Sequence, residues 1–154
     1  YGLLAPFIDG MLSGADANTK IVDGWEASYA YKEEAQFLEA YNMMQNKMKL
    51  LSRVPEAYRQ KMYAGFGIWL DYDWQHRGWN TPSAQVLFTP AEFENALVRA
   101  LKTSDSYVWI YTQKINWWTR ENISEDYWLA VKRAKARAIK EKYELLFPVG
   151  QKIP

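Results

Sequence analysis

The chain has 154 residues, of which 49% are hydrophobic and 24% charged, a balance that predicts one folded domain over residues 1–154 and excludes intrinsic disorder. A formal net charge of +1 gives no basis for binding nucleic acid or an anionic membrane, and no apolar run reaches the roughly 18 residues of a membrane span. The chain has no cysteine, which excludes disulfides, thiolate metal ligands and a cysteine nucleophile.

The first elements are predicted to be two short strands. An apolar run at residues 3–8, LLAPFI, ends at Asp9-Gly10 and is typical of a buried strand, although Pro6 is unusual there. Residues 20–22 resume an extended pattern that ends in DGWE. About a dozen residues separate the two strands, barely the length of a parallel crossover. Either a one-turn helix bridges two parallel strands, or the pair is antiparallel.

An amphipathic helix is predicted over residues 33–51. Its apolar residues recur at intervals of three and four, and they are Phe37, Ala40, Tyr41, Met44, Met48 and Leu51. We expect this face to pack on the core. Pro55 interrupts the pattern, and a shorter helix is predicted over residues 56–62.

The central stretch, residues 65–79, reads GFGIWLDYDWQHRGW and begins with a predicted strand. In steps of two, one side carries Phe66, Ile68 and Leu70. The other side carries two glycines followed by Trp69 and Asp71. A buried strand that ends in polar and aromatic residues indicates the point where the chain leaves the core and enters a site.

The second half of the chain predicts helix, strand and helix. Thr89, Pro90 and Glu92 form the pattern of an N-cap, a first-turn proline and a capping box, so a helix is predicted from there to about Ser104. Residues 107–113, YVWIYTQ, repeat the alternation of the central strand. After a loop with two tryptophans, Ser124 is predicted to cap a last helix that runs to about residue 146.

This order of elements predicts an α/β fold of about four βα units. A complete (β/α)8 barrel needs roughly 200 residues or more, so the chain is either a small open sheet or half of a TIM-type barrel. Another chain or a missing N-terminal segment would complete such a half. Trp109 and Tyr111 favour the half-barrel, because a barrel lumen accepts large side chains.

The predicted site lies at the carboxyl edge of the sheet, where loops converge. The polar residues that follow the predicted strands are Asp9, Glu26, Asp71 and Gln113, with Asp23 and Asp73 close by. Glycoside hydrolysis needs two carboxyl groups that flank the bond, and flat surfaces that hold the sugar. Trp, Tyr and Phe together make up 16% of the chain, and the Trp and Tyr rings combine a flat apolar surface with a polar group. A Trp-rich core is the alternative explanation of these rings.

Two alternatives limit this interpretation. Asp9-Gly10 and Asp23-Gly24 are also common turn dipeptides, which we favour for these two aspartates. The sequence Asp71-Tyr72-Asp73 could instead bind a divalent cation. His76 is the only histidine, so no histidine-based metal site or catalytic triad is supported. We therefore predict no metal and no cofactor.

Three segments, DGWEASY, GFGIWLDYDW and SDSYVWIYTQKINWW, resemble the C-terminal half of glycoside-hydrolase-like (β/α)8 barrels from uncharacterised bacterial proteins. The resemblance implies that the central strand is the seventh of such a barrel, where the retaining glycosidases of this type carry their nucleophile, at Asp71. The matching acid/base would lie on a fourth strand outside this chain. The resemblance also implies a Glu where this chain has Gln113.

The leading hypothesis is a carbohydrate-active, glycoside-hydrolase-like protein, secreted or periplasmic. The candidate catalytic carboxylates are Asp71, Glu26 and Asp73. The candidate sugar-binding residues are Trp25, Trp69, Trp74, Tyr111, Gln113, Trp117 and Trp118. A non-catalytic carbohydrate-binding or assembly module on the same scaffold is the alternative. A nucleic-acid binder that uses the basic last helix is a third, weaker hypothesis.

Overall fold

The computed structural model describes residues 2–71 and 87–146, with the side chains of all but the last four of these. It is a mixed α/β structure. The α-helices are α1 (Leu4–Gly14), α2 (Glu34–Asn42), α3 (Pro55–Lys61), α4 (Pro90–Thr103) and α5 (Glu125–Leu146). The strands are β1 (Ile21–Asp23), β2 (Met62–Trp69) and β3 (Tyr107–Tyr111). A 3-10 turn (Glu26–Ala30) follows β1, and a π turn (Met43–Lys47) and a 3-10 turn (Met48–Leu51) follow α2.

The prediction of a strand at residues 3–8 is wrong, because these residues begin helix α1. Ile8 and Leu12 lie one turn apart and pack with Tyr58 and Met62 in a small second core. Pro6 falls in the first helical turn, where its backbone nitrogen needs no hydrogen-bond partner. The apolar run was short enough to fit either element, and its packing partners select the helix.

This correction also removes Asp9 from the predicted site. Its carboxylate accepts the Ser52 hydroxyl at 2.5 Å and the Arg53 backbone N–H at 3.0 Å. These bonds tie α1 to the chain ahead of α3, and the Ser52 hydroxyl contributes most to lowering the pKa of Asp9. Asp9 is therefore a structural residue of α1 rather than a residue beyond a strand.

The sheet is parallel, with the strand order β1-β2-β3. Three strands lie in the described residues, against about four predicted, because the first predicted strand is a helix. Neither the parallel nor the antiparallel alternative for the first predicted strand pair therefore arises, and β1 connects to β2 through the helices α2 and α3. The predicted α/β class is confirmed.

The side chains of strand β2 point to two different faces of the sheet, as the alternation of its residues predicted. Phe66, Ile68 and Leu70 are fully or almost fully buried in the main core. Residues of α2, α4 and α5 complete that core, among them Phe37, Phe93 and Tyr127. We call the opposite side of the sheet the outer face.

The other predicted helices are present. Helix α4 begins with the predicted capping box, in which Thr89 and Glu92 exchange bonds. The predicted helix at residues 33–51 is a regular α-helix only to Asn42 and continues as the π and 3-10 turns. In that π turn, Gln45 donates to the Met62 carbonyl and to Asp105, so tertiary contacts accompany the change of helix type.

The outer face is built around one indole ring. Trp109 on β3 lies across the glycine backbone of the neighbouring strands, and a Cβ added at Gly24, Gly65 or Gly67 would come within 2.7, 3.1 or 2.6 Å of its ring atoms. Beyond the end of β1, the Ser28 hydroxyl both donates to the Gly67 carbonyl and accepts its N–H. The 3-10 turn thus takes the position that a longer β1 would occupy.

We expect Gly67→Ala to destabilise the fold by about 1–3 kcal/mol, because its Cβ would lie 2.5 Å from the Tyr29 ring and 2.6 Å from Trp109. Chemical denaturation monitored by Trp fluorescence measures the change. Gly10→Ala is the control: it adds a Cβ that meets nothing within 4 Å, in helix α1, and we expect equal or higher stability. Equal stability of the two variants would contradict the close packing of Trp109.

Candidate functional site

The carboxyl ends of β2 and β3 meet at one edge, as predicted. The backbone N–H of Leu70 donates to the Tyr111 carbonyl at 3.2 Å, which continues the pairing of the two strands. Asp71 lies two residues past β2 and Gln113 two residues past β3, so the two chain segments leave the sheet side by side. This edge brings together Asp71 and Gln113 from distant parts of the sequence.

Asp71 is 4% exposed and binds the chain beyond β3. One carboxylate oxygen, Oδ2, accepts the backbone N–H groups of Gln113 at 2.7 Å, Lys114 at 2.5 Å and Ile115 at 3.2 Å. The other oxygen accepts the Trp69 indole N–H at 3.0 Å. Three successive N–H groups around one oxygen form an anion-binding concavity, here filled by a side chain of the protein itself.

These contacts assign a structural role to Asp71. A carboxylate that accepts three backbone N–H groups fixes the conformation of that backbone. The predicted role of Asp71 as a nucleophile stays a prediction. Asp73, Trp74 and His76 lie outside the described residues.

The β1 end of the site has a different character. Trp25 adopts a left-handed conformation with φ of 36°, and its indole donates to the Tyr31 hydroxyl at 2.9 Å while the ring packs against the main core. Asp23 accepts the backbone N–H of Trp25 at 3.1 Å, which agrees with the predicted turn-forming role. Glu26 is exposed and begins the 3-10 turn. Trp25 is thus partly buried, whereas the Glu26 side chain is open to solvent.

Three aromatic rings cover the outer face at this edge. Trp69 and Tyr111 make an edge contact with ring centroids 4.8 Å apart, and Tyr29 stacks on Tyr111 at 5.9 Å with an interplanar angle of 25°. Tyr111 remains 36% exposed, and its hydroxyl accepts the Gln113 side-chain amide at 2.8 Å. Trp69, Tyr111 and Gln113 were all predicted site residues, and they form one connected group.

The β3–α5 loop (residues 112–124) forms a cavity of about 510 Å³. Its walls are residues 113–118 together with Glu121 and Asn122. The loop is held by its own hydrogen bonds: Asn116 Oδ1 accepts the N–H groups of Trp118 and Thr119, and Asn122 donates to the Lys114 carbonyl. Together with Asp71, these bonds give the cavity a defined backbone.

The two adjacent tryptophans of this loop have different environments. Trp118 is 92% exposed. Trp117 instead packs against the main core and faces Trp128 of α5, with ring centroids 6.1 Å apart. The guanidinium of Arg120 lies 4.5 Å from the centre of the same Trp128 ring. Of the two predicted platforms, only Trp118 presents its ring to solvent.

The polar residues Asn116, Glu121 and Asn122 were missed as candidates. The pair of tryptophans is the sequence signal that marked this loop as a candidate site. No spacing rule identifies functional polar side chains in an irregular loop. Asn122 has φ of 61°, a conformation that Asn adopts more readily than most residues. Its place in the cavity depends on that turn.

The basic helix α5 is partly neutralised by its neighbour. Glu94 of α4, whose side chain is 12% exposed, accepts from Arg133 at 2.6 Å and from Arg137 at 2.7 Å. Burial raises the pKa of Glu94, but the two arginines outweigh burial and hold the pKa below its usual value. Two of the basic residues that suggested a nucleic-acid surface therefore join α4 to α5.

Two further observations concern the described residues. No group of three or more His, Asp or Glu side chains there could hold a metal ion. None of the helices in these parts of the chain combines the length and the apolar character that crossing a bilayer demands.

No protein-family model, curated protein sequence or solved structure matches this chain.

We expect Asp71→Asn to loosen the β3–α5 loop, because an amide offers fewer acceptor sites than a carboxylate to the three N–H groups that converge on it. Hydrogen exchange followed by NMR should show the amides of residues 113–115 exchanging at least about tenfold faster, which corresponds to about 1.4 kcal/mol or more of lost protection.

Asp105→Asn is the matched control. Asp105 also accepts a backbone N–H, that of Ala64, and it lies at the opposite end of β2. Its substitution should leave the exchange of residues 113–115 unchanged. If Asp71→Asn also left these amides protected, the anchoring role of Asp71 would be refuted.

Proposed function

We propose that the protein binds carbohydrate in the cavity of the β3–α5 loop, with Trp118 as the ring against which a sugar packs. The observation that carries the proposal is the exposure of Trp118, at 92% of its surface, beside a cavity with polar walls. A large apolar ring that remains exposed on a folded protein is typical of a binding surface, and Trp is the residue most enriched among energetically important contacts.

The order of the loop supports this proposal. Trp118 is not at the end of a loose segment, because its backbone N–H is bound by Asn116 and the loop begins at the anchor formed by Asp71. A ring whose backbone is already held loses less conformational freedom when a ligand binds. Preorganisation of this kind favours recognition.

The polar groups around the ring support a hydroxyl-rich ligand. Asn116 uses its Oδ1 atom within the loop and Asn122 uses its Nδ2 group, so among the described residues the other end of each amide is left for a ligand. Glu121 adds a carboxylate to the same cavity. An amide can both donate and accept hydrogen bonds with sugar hydroxyl groups, whereas a carboxylate accepts them.

Glycoside hydrolysis is the second candidate. Two observations favour it: Glu121 lines the cavity beside Trp118, and Glu26 stands exposed after β1, the strand next to β2. A hydrolase needs two carboxyl groups on opposite sides of the scissile bond. We expect Glu121→Gln and Glu26→Gln to abolish any release of reducing sugar while glycan binding persists, and product analysis of binding mixtures checks this.

We further propose that additional strands, from a second chain or a preceding segment, continue the sheet as in half of a TIM-type barrel. In the described residues, β1 and β3 are the edge strands of the sheet, and no further strand pairs with the free edge of either. Parallel sheets are usually covered on both faces. The packing of Trp109 on glycine resembles a barrel lumen more than a helix-packing face. A solution mass equal to an isolated 18.1 kDa monomer of full stability would contradict this assembly.

We expect Trp118→Ala to weaken glycan binding at least about tenfold, because truncation of an interfacial Trp costs more than about 1–2 kcal/mol. Calorimetric titration with a panel of α- and β-linked oligosaccharides measures the effect. Tyr107→Ala is the control, because Tyr107 is an exposed aromatic residue at the amino end of β3, away from the cavity. Equal affinity of wild type and Trp118→Ala, or the failure of every glycan in the panel to bind wild type, would refute the proposal.

A further inference from the structure

We infer that the site binds an internal segment of an extended glycan chain, across Trp118 and Tyr111 together, rather than a single sugar or the end of a chain. This inference rests on the proposed carbohydrate binding at the β3–α5 loop. It adds the class of ligand and a second contact point outside the loop cavity.

The openness of the cavity is the first support. Sites for small molecules usually bury about 70–90% of the ligand surface. Here the most prominent wall, Trp118, is itself 92% exposed, so among the described residues no element covers the ring from the far side. A single sugar in this position would keep much of its surface in water. An open surface suits a ligand that continues past it in both directions.

The second support is a ring that continues the same surface. Gln113 lines the cavity and also donates its side-chain amide to the Tyr111 hydroxyl at 2.8 Å. Tyr111 is 36% exposed at the end of β3, so the cavity wall leads directly to another partly exposed aromatic side chain. Gln113 therefore links the cavity that Trp118 lines to the Tyr111 ring.

The Tyr111 ring is fixed in place. It stacks on Tyr29 at 5.9 Å and meets the edge of Trp69 at 4.8 Å. Trp69 is in turn held by its indole bond to Asp71, the same carboxylate that anchors the β3–α5 loop. Asp71 therefore contacts both a ring that packs on Tyr111 and the start of the loop that carries Trp118.

The physical consequence is a dependence of affinity on chain length. One open ring contact gives weak binding, and each further contact within the same molecule multiplies the affinity without a new loss of translational freedom. Binding should therefore be weak for one sugar unit and should rise when the ligand is long enough to reach the second ring. Beyond that length it should change little.

The experiment is a calorimetric titration of the full chain with cello-, xylo-, malto- and chito-oligosaccharides of one to six units. For the series that binds, we expect affinity to rise at least about tenfold between the monosaccharide and the hexasaccharide, the size of one aromatic contact. Reduction of the terminal sugar to its alditol should leave hexasaccharide affinity unchanged, because an internal segment makes the contacts.

The matched variants separate the two rings. Trp118→Ala should weaken binding at every length, whereas Tyr111→Ala should weaken the binding of the longer ligands more than that of the shortest ligand that binds. Tyr111→Phe keeps the ring and should retain most of the gain in affinity with length. Tyr107→Ala, at the other end of β3, should behave as wild type.

Equal affinity for the monosaccharide and the hexasaccharide, or loss of binding on reduction of the terminal sugar, would overturn the inference while the proposed function stands. If no series binds at any length, the proposed function itself fails, and the inference falls with it. The two failures are therefore distinguishable in one set of titrations on the wild-type protein, whatever the stability of the variants.

Discussion

The buried carboxylate of Asp71 is the interaction on which the site depends. It joins the end of β2 to the first residues beyond β3 through three backbone N–H groups, and it also holds the Trp69 indole. Removal of this carboxylate would leave three backbone N–H donors without their acceptor in the fold. The exposed loop with Trp118 is therefore built on a rigid base.

Strand β2 is held in a comparable way at its other end. The Asp105 carboxylate accepts the Ala64 N–H at 2.7 Å, the Gln45 amide at 2.8 Å and the Tyr41 hydroxyl at 2.9 Å. One aspartate thus joins β2 to α2 and the start of β3, and another joins it to the chain after β3. The strand between them carries glycine on its outer side, where the Trp109 ring packs against its backbone.

The outer face shows why Trp109 and glycine occur together. An indole that lies flat on a sheet needs neighbouring positions without Cβ atoms, and Gly24, Gly65 and Gly67 provide them. Because these glycines have no side chains, the Trp109 ring covers the backbone of this face. The rings of Tyr29, Trp69 and Tyr111 extend that cover toward the carboxyl edge.

The sequence alone determined the α/β class, the two faces of β2, and the boundaries of α4 and α5, because alternation and capping residues are local signals. It also brought Asp71 and Gln113 to one edge, since adjacent parallel strands end together. Only the tertiary structure decided that residues 4–14 form a helix, because an apolar run of six residues fits either element and the contact with Tyr58 and Met62 selects one. Likewise, the bonds of the Asp71 carboxylate and the different exposures of Trp117 and Trp118 depend on partners far away in the chain, which no local pattern encodes.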